Sequence, residues 1–400
     1  MGTWDVIKGW TQCSDHDISP RVALQVVHES ALCVNGIRPR HTLGHQGFEL
    51  LNGLPYIVSD LDIHQLLNQH TIADAVQMQK NLSRLRSVNG HYKGNLLAID
   101  PHRIVTYSKR VMPKKKKLPK EPSKKMLQTF FCIDAQTGQP YGHLLGSSGY
   151  TTTKATIDLL NMVDQINPNP ALILADTEHF TDELLSIINH HPKFDILMPT
   201  PYTYKVQKIL KSLEYKRMWA GYAMACTDYM FRDNQNKFML LVERIGEIPS
   251  EYQYKAFIST AQESALKMLT EDYRERWSIE EFFNFEGNLG WNRASTMNLN
   301  VRYGKMSLAL IAQAAIFQLR QKLPSPYRQW TATTMADNIF RGIDGDIRVV
   351  NDTIVVTMYN VEGKLNLPQH YTDLPNRLEQ QGVDPKIPWL YGFKLDFKFK

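Results

Sequence analysis

The chain has few cysteines, no long apolar run and little net charge. The four cysteines among its 400 residues form no C-x-x-C pair; they are Cys13, Cys33, Cys132 and Cys226. This scatter argues against a zinc site and a disulfide framework and fits a reducing cytoplasm. The first ten residues have no apolar core, so we expect no secretory signal. Met306–Leu319 is the most apolar helical segment, but it is short and contains two glutamines, so we expect a buried helix and no membrane span.

What the chain does contain is typical of a large globular protein. Hydrophobic residues make up 43% of the sequence and aromatic residues 10%, which excludes a disordered chain. Four hundred residues exceed what one core usually organises, so we expect two or three domains.

The net charge of +6 is concentrated in one segment. Residues Lys114–Lys125 contain seven lysines and one glutamate, which equals the net charge of the whole chain. A basic segment of this kind indicates a polyanionic partner, although a solvated surface loop is the simpler alternative.

The sequence of the first 90 residues predicts short helices separated by polar turns. The segments with helical texture are Val22–Val34, Gly47–Leu54, Asp60–Leu67 and Ile72–Leu85. This pattern is compatible with a helix-turn-helix unit that binds DNA and equally with a small scaffolding bundle.

Two apolar runs further along the chain each end in an aspartate. Gly94–Asp100 and Ala171–Asp176 both predict buried strands. The elements expected around them are a hairpin of Leu127–Ile133 and Tyr141–Gly146, a helix at Thr153–Ile166, a helix at Thr181–Asn189 capped by Thr181 or a neighbouring residue, and a strand at Phe194–Met198.

The sequence of the second half of the chain predicts strands followed by helices. Strands are expected at Arg217–Phe231 and Lys237–Ile245, helical structure from Thr260 through Glu280, a helix at about Lys305–Lys322, and a hairpin of Asp346–Val350 with Thr353–Tyr359. The pattern of residues 364–400 predicts no particular element.

The segment Thr270–Asn288 carries a polar stripe. On a helix, Tyr273, Arg276 and Glu280 fall on one face because they are three and four residues apart. A guanidinium beside a carboxylate keeps that carboxylate charged, which suits a metal ligand. The alternative is a surface ion pair of little consequence. Glu281 is a poorer ligand because it points about 100° away from this face.

Asp100, Asp176 and Glu280 together suggest a metal site. If the two strands are neighbours, both aspartates meet at one sheet edge and the helix brings Glu280 across. Clustered carboxylates repel one another, and two Mg²⁺ or Mn²⁺ ions, which prefer oxygen ligands, relieve that repulsion. Two such ions promote attack on a phosphodiester. The alternatives are that Asp176 caps a helix and that Asp100, followed by Pro101, forms a turn.

The spacing of Tyr273, Arg276 and Glu280 resembles the Tyr-Arg-Glu-Lys signature of a large group of bacterial insertion-sequence transposases of the DDE type. The resemblance covers about residues 94–323 and includes the order of the elements that carry the three acids. It implies an α/β fold: a ribonuclease-H-like catalytic core interrupted by a β-rich insertion, with a helical N-terminal region.

The resemblance also implies a division of the chain and a set of functional residues. The expected segments are a helical, possibly DNA-binding region 1–90, core parts 91–199 and 263–325, an insertion 200–262 and a C-terminal region 326–400. Asp100, Asp176 and Glu280 would be catalytic and would hold two metal ions. Residues expected to contact DNA are Tyr273, Arg276, Lys114, Lys115, Lys116, Lys117 and Trp219.

Three positions need separate comment. The signature lysine, expected seven residues after Glu280, is Gly287 here, so Arg293 or the lysine run would have to replace it. Trp219 is the candidate for stacking on a displaced base in a hairpin intermediate, although a core aromatic is the more ordinary role. His102 is expected to be a surface turn residue, with contact to a metal-bound water as the less ordinary role.

The implied function is cleavage of transposon ends and their joining to target DNA. The partners would be double-stranded DNA and a second copy of the chain, with no membrane, in the cytoplasm. Two alternatives remain: another ribonuclease-H-like nuclease such as a resolvase, and a transposase-derived DNA-binding protein that has lost catalysis, for which Gly287 is the only support.

Overall fold

The computed structural model describes residues 2–34, 46–116, 120, 122–232, 235–292, 296–341, 344–359, 361 and 365–400. Contacts divide the chain into two compact units. The core unit is Arg86–Phe283, and the split unit combines Met1–Leu85 with Asn284–Lys400. The five segments predicted from the sequence stay a prediction.

Helices form the described part of the first 90 residues, and strands and helices follow in the rest of the chain. The helices are α1 Thr3–Thr11, α2 Ser19–Ala31, α3 Gln46–Leu51, α4 Asp60–Gln69, α5 Ile72–Val88, α6 Thr152–Asp164, α7 Asp182–Asn189, α8 Tyr204–Ser212, α9 Ala265–Thr270, α10 Ser278–Glu286, α11 Leu299–Lys322, α12 Ala332–Met335, α13 Leu367–Tyr371 and α14 Leu374–Gln380. The strands are β1 Leu96–Val105, β2 Lys114–Lys115, β3 Lys124–Asp134, β4 Gln139–Ser147, β5 Ala171–Leu174, β6 Phe194–Pro199, β7 Lys216–Trp219, β8 Tyr222–Tyr229, β9 Phe238–Ile245, β10 Gln253–Ser259, β11 Asp344–Val350, β12 Thr353–Tyr359 and β13 Lys394–Phe399.

A mixed sheet organises the core unit. In the described part of the chain it has ten strands, in the order β2-β3-β1-β5-β6-β10-β9-β8-β7, with β4 also paired to β3. Strands β1, β5 and β6 are parallel, and β3 and β10 run antiparallel to them. All four residues of β5 are buried, as expected for a central parallel strand covered on both faces. Helix α6 packs on β3 and β4, and α7 packs on β6.

Side-chain caps explain where several helices begin. Thr151, Thr181 and Asn298 each accept a hydrogen bond from a backbone N–H in the first turn of α6, α7 and α11. For α7 the sequence left the cap open between Thr181 and a neighbour, and the structure shows that it is Thr181.

The prediction that a strand ends at Asp100 is wrong. Strand β1 continues through Pro101 and His102 to Val105 and pairs with β3 along this length. On its other side, β1 pairs with β5 only as far as Ala98. Proline is tolerated here because β1 has no partner on that side beyond Ala98.

The helical structure expected from Thr260 through Glu280 is present from Ala265 onward, but it is not one regular helix. Residues Gln253–Ser259 form a strand, α9 is short, and Asp272–Trp277 is a 3-10 helix that leads into α10. Tertiary contacts of Tyr273, described below, favour this tighter turn over a regular α-helix. The expected strand Arg217–Phe231 is in fact two strands, β7 and β8, which turn at Gly221 with a positive φ of 70°.

The split unit is built around α11. This helix begins at Leu299, earlier than expected, is buried along most of its length and packs against α2 and α4. The prediction that Met306–Leu319 is a buried helix is confirmed. None of the described helices has the length and apolarity needed to cross a membrane.

The C-terminal residues form a small sheet in the split unit. Strands β11 and β12 make the predicted hairpin, and β13 adds to β12 in parallel. The side chain of Arg21 in α2 donates to the backbone carbonyl of Trp389 at 3.0 Å. This bond ties the end of the chain to the N-terminal helices of the same unit.

Candidate active site

The register of the parallel strands places Asp100 beside Asp176. Ala98 of β1 pairs with Leu174 of β5, and each acid lies two residues further along the chain. Asp176 keeps an extended backbone, with φ −89° and ψ 167°. Because two residues along an extended chain restore the same face, both carboxylates lie on one face at one edge of the sheet.

Asp100 lies in a strongly negative environment. Burial, together with the charges of Glu178 and Asp176, raises the pKa of Asp100 from 3.8 to about 8. The positive charges of Arg276 and Arg103 oppose this increase only in part.

Tyr273 fixes the 3-10 segment against the ends of the strands. Its hydroxyl donates to the backbone carbonyl of Ala175 at 3.3 Å, and its ring packs against Phe257 at a centroid distance of 4.8 Å. Burial raises the pKa of the Tyr273 hydroxyl, so it stays protonated as a donor. Residues three apart eclipse in a 3-10 helix, so Arg276 projects from the same side as Tyr273.

Arg276 holds the third predicted acid. Its Nη2 atom donates to Oε1 of Glu280 at 2.6 Å, across one turn from the 3-10 segment into α10. The negative charge of Asp100 also acts on Arg276. A guanidinium therefore lies between Glu280 and the aspartate pair. Glu281, by contrast, is exposed.

The donor set suits a divalent cation only in part. Within the described residues no group of three or more His, Cys, Asp or Glu side chains is arranged to hold a metal ion. Asp100 and Asp176 do fit one, because they offer oxygen ligands in an uncompensated negative environment. Glu280 is engaged by Arg276 and would have to exchange that partner to become a ligand.

Asp176 does cap a helix, as the alternative interpretation predicted, but a capping aspartate can still bind a metal ion. One carboxylate oxygen accepts the backbone N–H of Thr177 at 2.6 Å and so begins the 3-10 helix Thr177–His179. A carboxylate has a second oxygen with free lone pairs, so capping and metal binding are compatible.

Sequence analysis missed a polar network next to the acids. Arg103 of β1 forms an ion pair with Glu178, and its Nε donates to Oε1 of Gln128 at 3.1 Å. Lys115 Nζ donates to the same Gln128 oxygen at 3.3 Å. The only available signal was Glu178 itself, an acid two residues after a predicted strand-end aspartate.

This network connects the predicted basic loop to the acids. Lys115 is half-buried, and burial and the charge of Arg103 lower its pKa. Lys114 and Lys116 are exposed. Lys117 lies outside the described residues, and so does Arg293, the suggested replacement for the signature lysine.

An aromatic cavity of about 590 Å³ adjoins Tyr273 in the core unit. Its walls include Tyr202, Trp219, Tyr222, Glu243, Tyr254, Phe257, Tyr273 and Arg274. Trp219 is 49% exposed and stacks on Tyr222, with ring centroids 4.4 Å apart and planes 8° apart. The alternative that Trp219 is a core aromatic is therefore wrong.

Two further expectations are corrected. His102 is a strand residue whose ring lies 4.9 Å from that of Phe283, and so it is not in a surface turn. Gly287, at the signature lysine position, is buried at the start of the 3-10 helix Gly287–Leu289. A Cβ at this position would lie 2.4 Å from side-chain atoms of the exposed Asn292, so that side chain would have to move to admit a lysine.

A mixed sheet that carries paired aspartates at one edge is consistent with the ribonuclease-H-like fold of transposases. Residues 91–314, more than half of the chain, match the family described as the transposase DDE domain. The chain therefore belongs to the DDE transposase family, and it is an enzyme of the DNA transposase class. The prediction of this class is confirmed.

Solved structures were also found to be similar. One of them is a piggyBac transposase synaptic complex with hairpin DNA, determined by cryo-EM, with 12% identity and a TM-score of 0.43 over 80% of this chain and 70% of that one. So low a TM-score does not establish a shared fold by itself. The comparison with curated proteins found no match.

Proposed function

We propose that this chain is an insertion-sequence transposase of the Tyr-Arg-Glu-Lys group that cleaves transposon ends and joins them to target DNA. The observation that carries the proposal is the strand register that sets Asp100 beside Asp176. The contacts of Tyr273 with Ala175 and of Arg276 with Glu280 support it, because they bring the signature to the same sheet edge.

In this proposal Asp100, Asp176 and Glu280 hold two Mg²⁺ or Mn²⁺ ions. Bound ions of this kind activate an attacking hydroxyl group and stabilise the leaving oxygen of a phosphodiester. The protein's own residues have distinct tasks. Tyr273 anchors the signature segment to the strand ends, and Arg276 neutralises the acids until DNA and metal arrive. The lysines at 114–116 lie where DNA phosphates would approach the acids.

The β-rich residues 200–262 form, in this proposal, an insertion in the catalytic core. Its aromatic cavity would receive a base displaced from the duplex, with Trp219 and Tyr222 as the stacking surface. Base stacking on aromatic side chains is favourable by about 1–3 kcal/mol per base. The active form would be a homodimer that brings two DNA ends together in the cytoplasm.

The test is a nicking and strand-transfer assay on a plasmid carrying the DNA that flanks the gene, with Mn²⁺ and with EDTA. We expect Mn²⁺-dependent nicks that Glu280→Gln abolishes. Glu281→Gln, an equal change at the exposed neighbouring position, should keep full activity. Full activity of Glu280→Gln would refute the assignment, and nicking without joining would favour a resolvase-like nuclease.

The second candidate is a transposase-derived DNA-binding protein without catalysis, and the observation that favours it is Gly287. Glycine has no side chain, so this position does not supply the charge of the signature lysine. Binding to the flanking DNA with no cleavage in any divalent cation would support this candidate.

A further inference from the structure

A second basic surface lies in the core unit, far in sequence from the lysine run. Residues 204–217 contain five basic residues and one acidic residue, a local charge of +4. The basic residues are Lys205, Lys208, Lys211, Lys216 and Arg217, all of them exposed. We call these five residues the basic ridge. Charges elsewhere in the chain cancel this excess, so the total composition conceals it.

Helix α8 directs two of these lysines away from the protein. Val206 and Leu210 are the buried residues of α8. At about 100° per residue, Lys208 lies opposite the buried pair, and Lys211 and Lys205 lie about 120° from it on either side. Lys205 lies to one side, with its ammonium 4.6 Å from the centre of the Tyr229 ring. Lys208 and Lys211 are therefore the outward-facing charges of the ridge.

The ridge is not neutralised within the described part of the chain. There, no carboxylate lies within ion-pair distance of Lys208, Lys211 or Lys216. Arg217 has a partner, Glu247, but the pair is 3.5 Å apart and more than half exposed on both sides. Such a pair contributes little and leaves the local field positive.

The ridge begins at the sheet edge that carries the acids. Leu174 of β5 pairs with Leu197 of β6, so Pro199 corresponds in register to Asp176. The chain then passes Tyr202, which lines the aromatic cavity, and enters α8 directly. A nine-residue helix is about 13 Å long, which is comparable with about four base pairs of duplex.

We propose that the basic ridge binds the phosphate backbone of duplex DNA adjoining the bond that is cut. The proposal rests on the proposed transposase function, which supplies the DNA. Its physical basis is charge: unpaired ammonium groups release counterions when they meet phosphates, so each contact contributes affinity that decreases with salt. DNA that enters at the acids and passes the cavity would meet Lys208 and Lys211 next.

The test compares two double variants with equal loss of charge. Lys208→Gln/Lys211→Gln removes the outward charges of the ridge. Lys93→Gln/Lys237→Gln is the control, because these exposed lysines precede β1 and β9, at the opposite edge of the sheet. The probe is a fluorescent 40-base-pair duplex of arbitrary sequence, titrated by anisotropy at several salt concentrations in Ca²⁺, with circular dichroism as the check of folding.

We expect the ridge variant to bind several-fold more weakly and to lose about 2 from the slope of log K against log salt. The control variant should bind like the unmodified protein. Equal behaviour of the two variants would overturn the proposal, and so would a loss of affinity with no change in slope. Nicking is measured separately. A protein that does not nick DNA, but whose DNA binding still depends on the basic ridge, would refute the proposed catalysis and leave the ridge proposal intact.

Discussion

The raised pKa of Asp100 makes a prediction about stability that needs no DNA. The folded protein holds the proton of Asp100 up to about pH 8, whereas the unfolded chain releases it near 3.8. The contribution of Asp100 to stability is therefore highest below pH 3.8 and decreases as the pH rises towards 8. Each pH unit in that window costs at most about 1.4 kcal/mol, an upper limit of about 6 kcal/mol.

Asp100→Asn removes this loss of stability with rising pH because asparagine does not ionise. Local relaxation reduces the upper limit, so we expect the variant to gain about 2 kcal/mol over the unmodified protein between about pH 5 and pH 8 in EDTA. Hydrogen exchange of amides in β1 and β3, compared between the proteins at each pH, measures the local opening free energy.

The control for this measurement is Glu281→Gln. It removes an equal charge from an exposed position, so its difference from the unmodified protein should not change with pH. Mg²⁺ should remove the pH dependence of the unmodified protein by stabilising the ionised aspartate. If the stability gained by Asp100→Asn were the same at about pH 5 and about pH 8, the electrostatic argument would be refuted.

Three further variants test other parts of the site. Glu178→Gln removes the largest charge acting on Asp100, so the pH dependence of β1 exchange should move to lower pH; an unmoved profile would contradict this account. Trp219→Ala should weaken binding of a duplex with one unpaired base by about 1–3 kcal/mol, measured by anisotropy, and leave a fully paired duplex unaffected. Gly287→Lys should destabilise the fold by about 1–3 kcal/mol in thermal melting, because position 287 is buried and the Asn292 side chain must move to admit the new side chain, and should not increase nicking. A more active Gly287→Lys protein with unchanged melting would show that this reasoning is wrong.

The position of the two aspartates followed from local pattern, which is why it was predictable. Apolar runs predicted β1 and β5, and parallel pairing of such strands brings their equivalent positions together. The extension of β1 beyond Asp100 was not predictable, because Pro101 is tolerated only through the absence of a partner strand on that side.

The sequence did not predict the features that depend on contacts with residues far away in the chain. The 3-10 segment depends on the bond from Tyr273 to Ala175, 98 residues away, and no local propensity encodes it. Glu178 acquires its role through Arg103, 75 residues earlier in the chain. The exposure of Trp219 follows from its place on the edge strand β7, which the single predicted strand concealed.

The discontinuity of the split unit has a consequence during synthesis. Helix α2, most of whose residues are buried, packs against α11, which the ribosome completes more than 250 residues later. At elongation rates of about 5–20 residues per second, α2 waits roughly 15–60 seconds for that partner. A truncated product of the first 90 residues would present this apolar surface to water and should aggregate or require a chaperone.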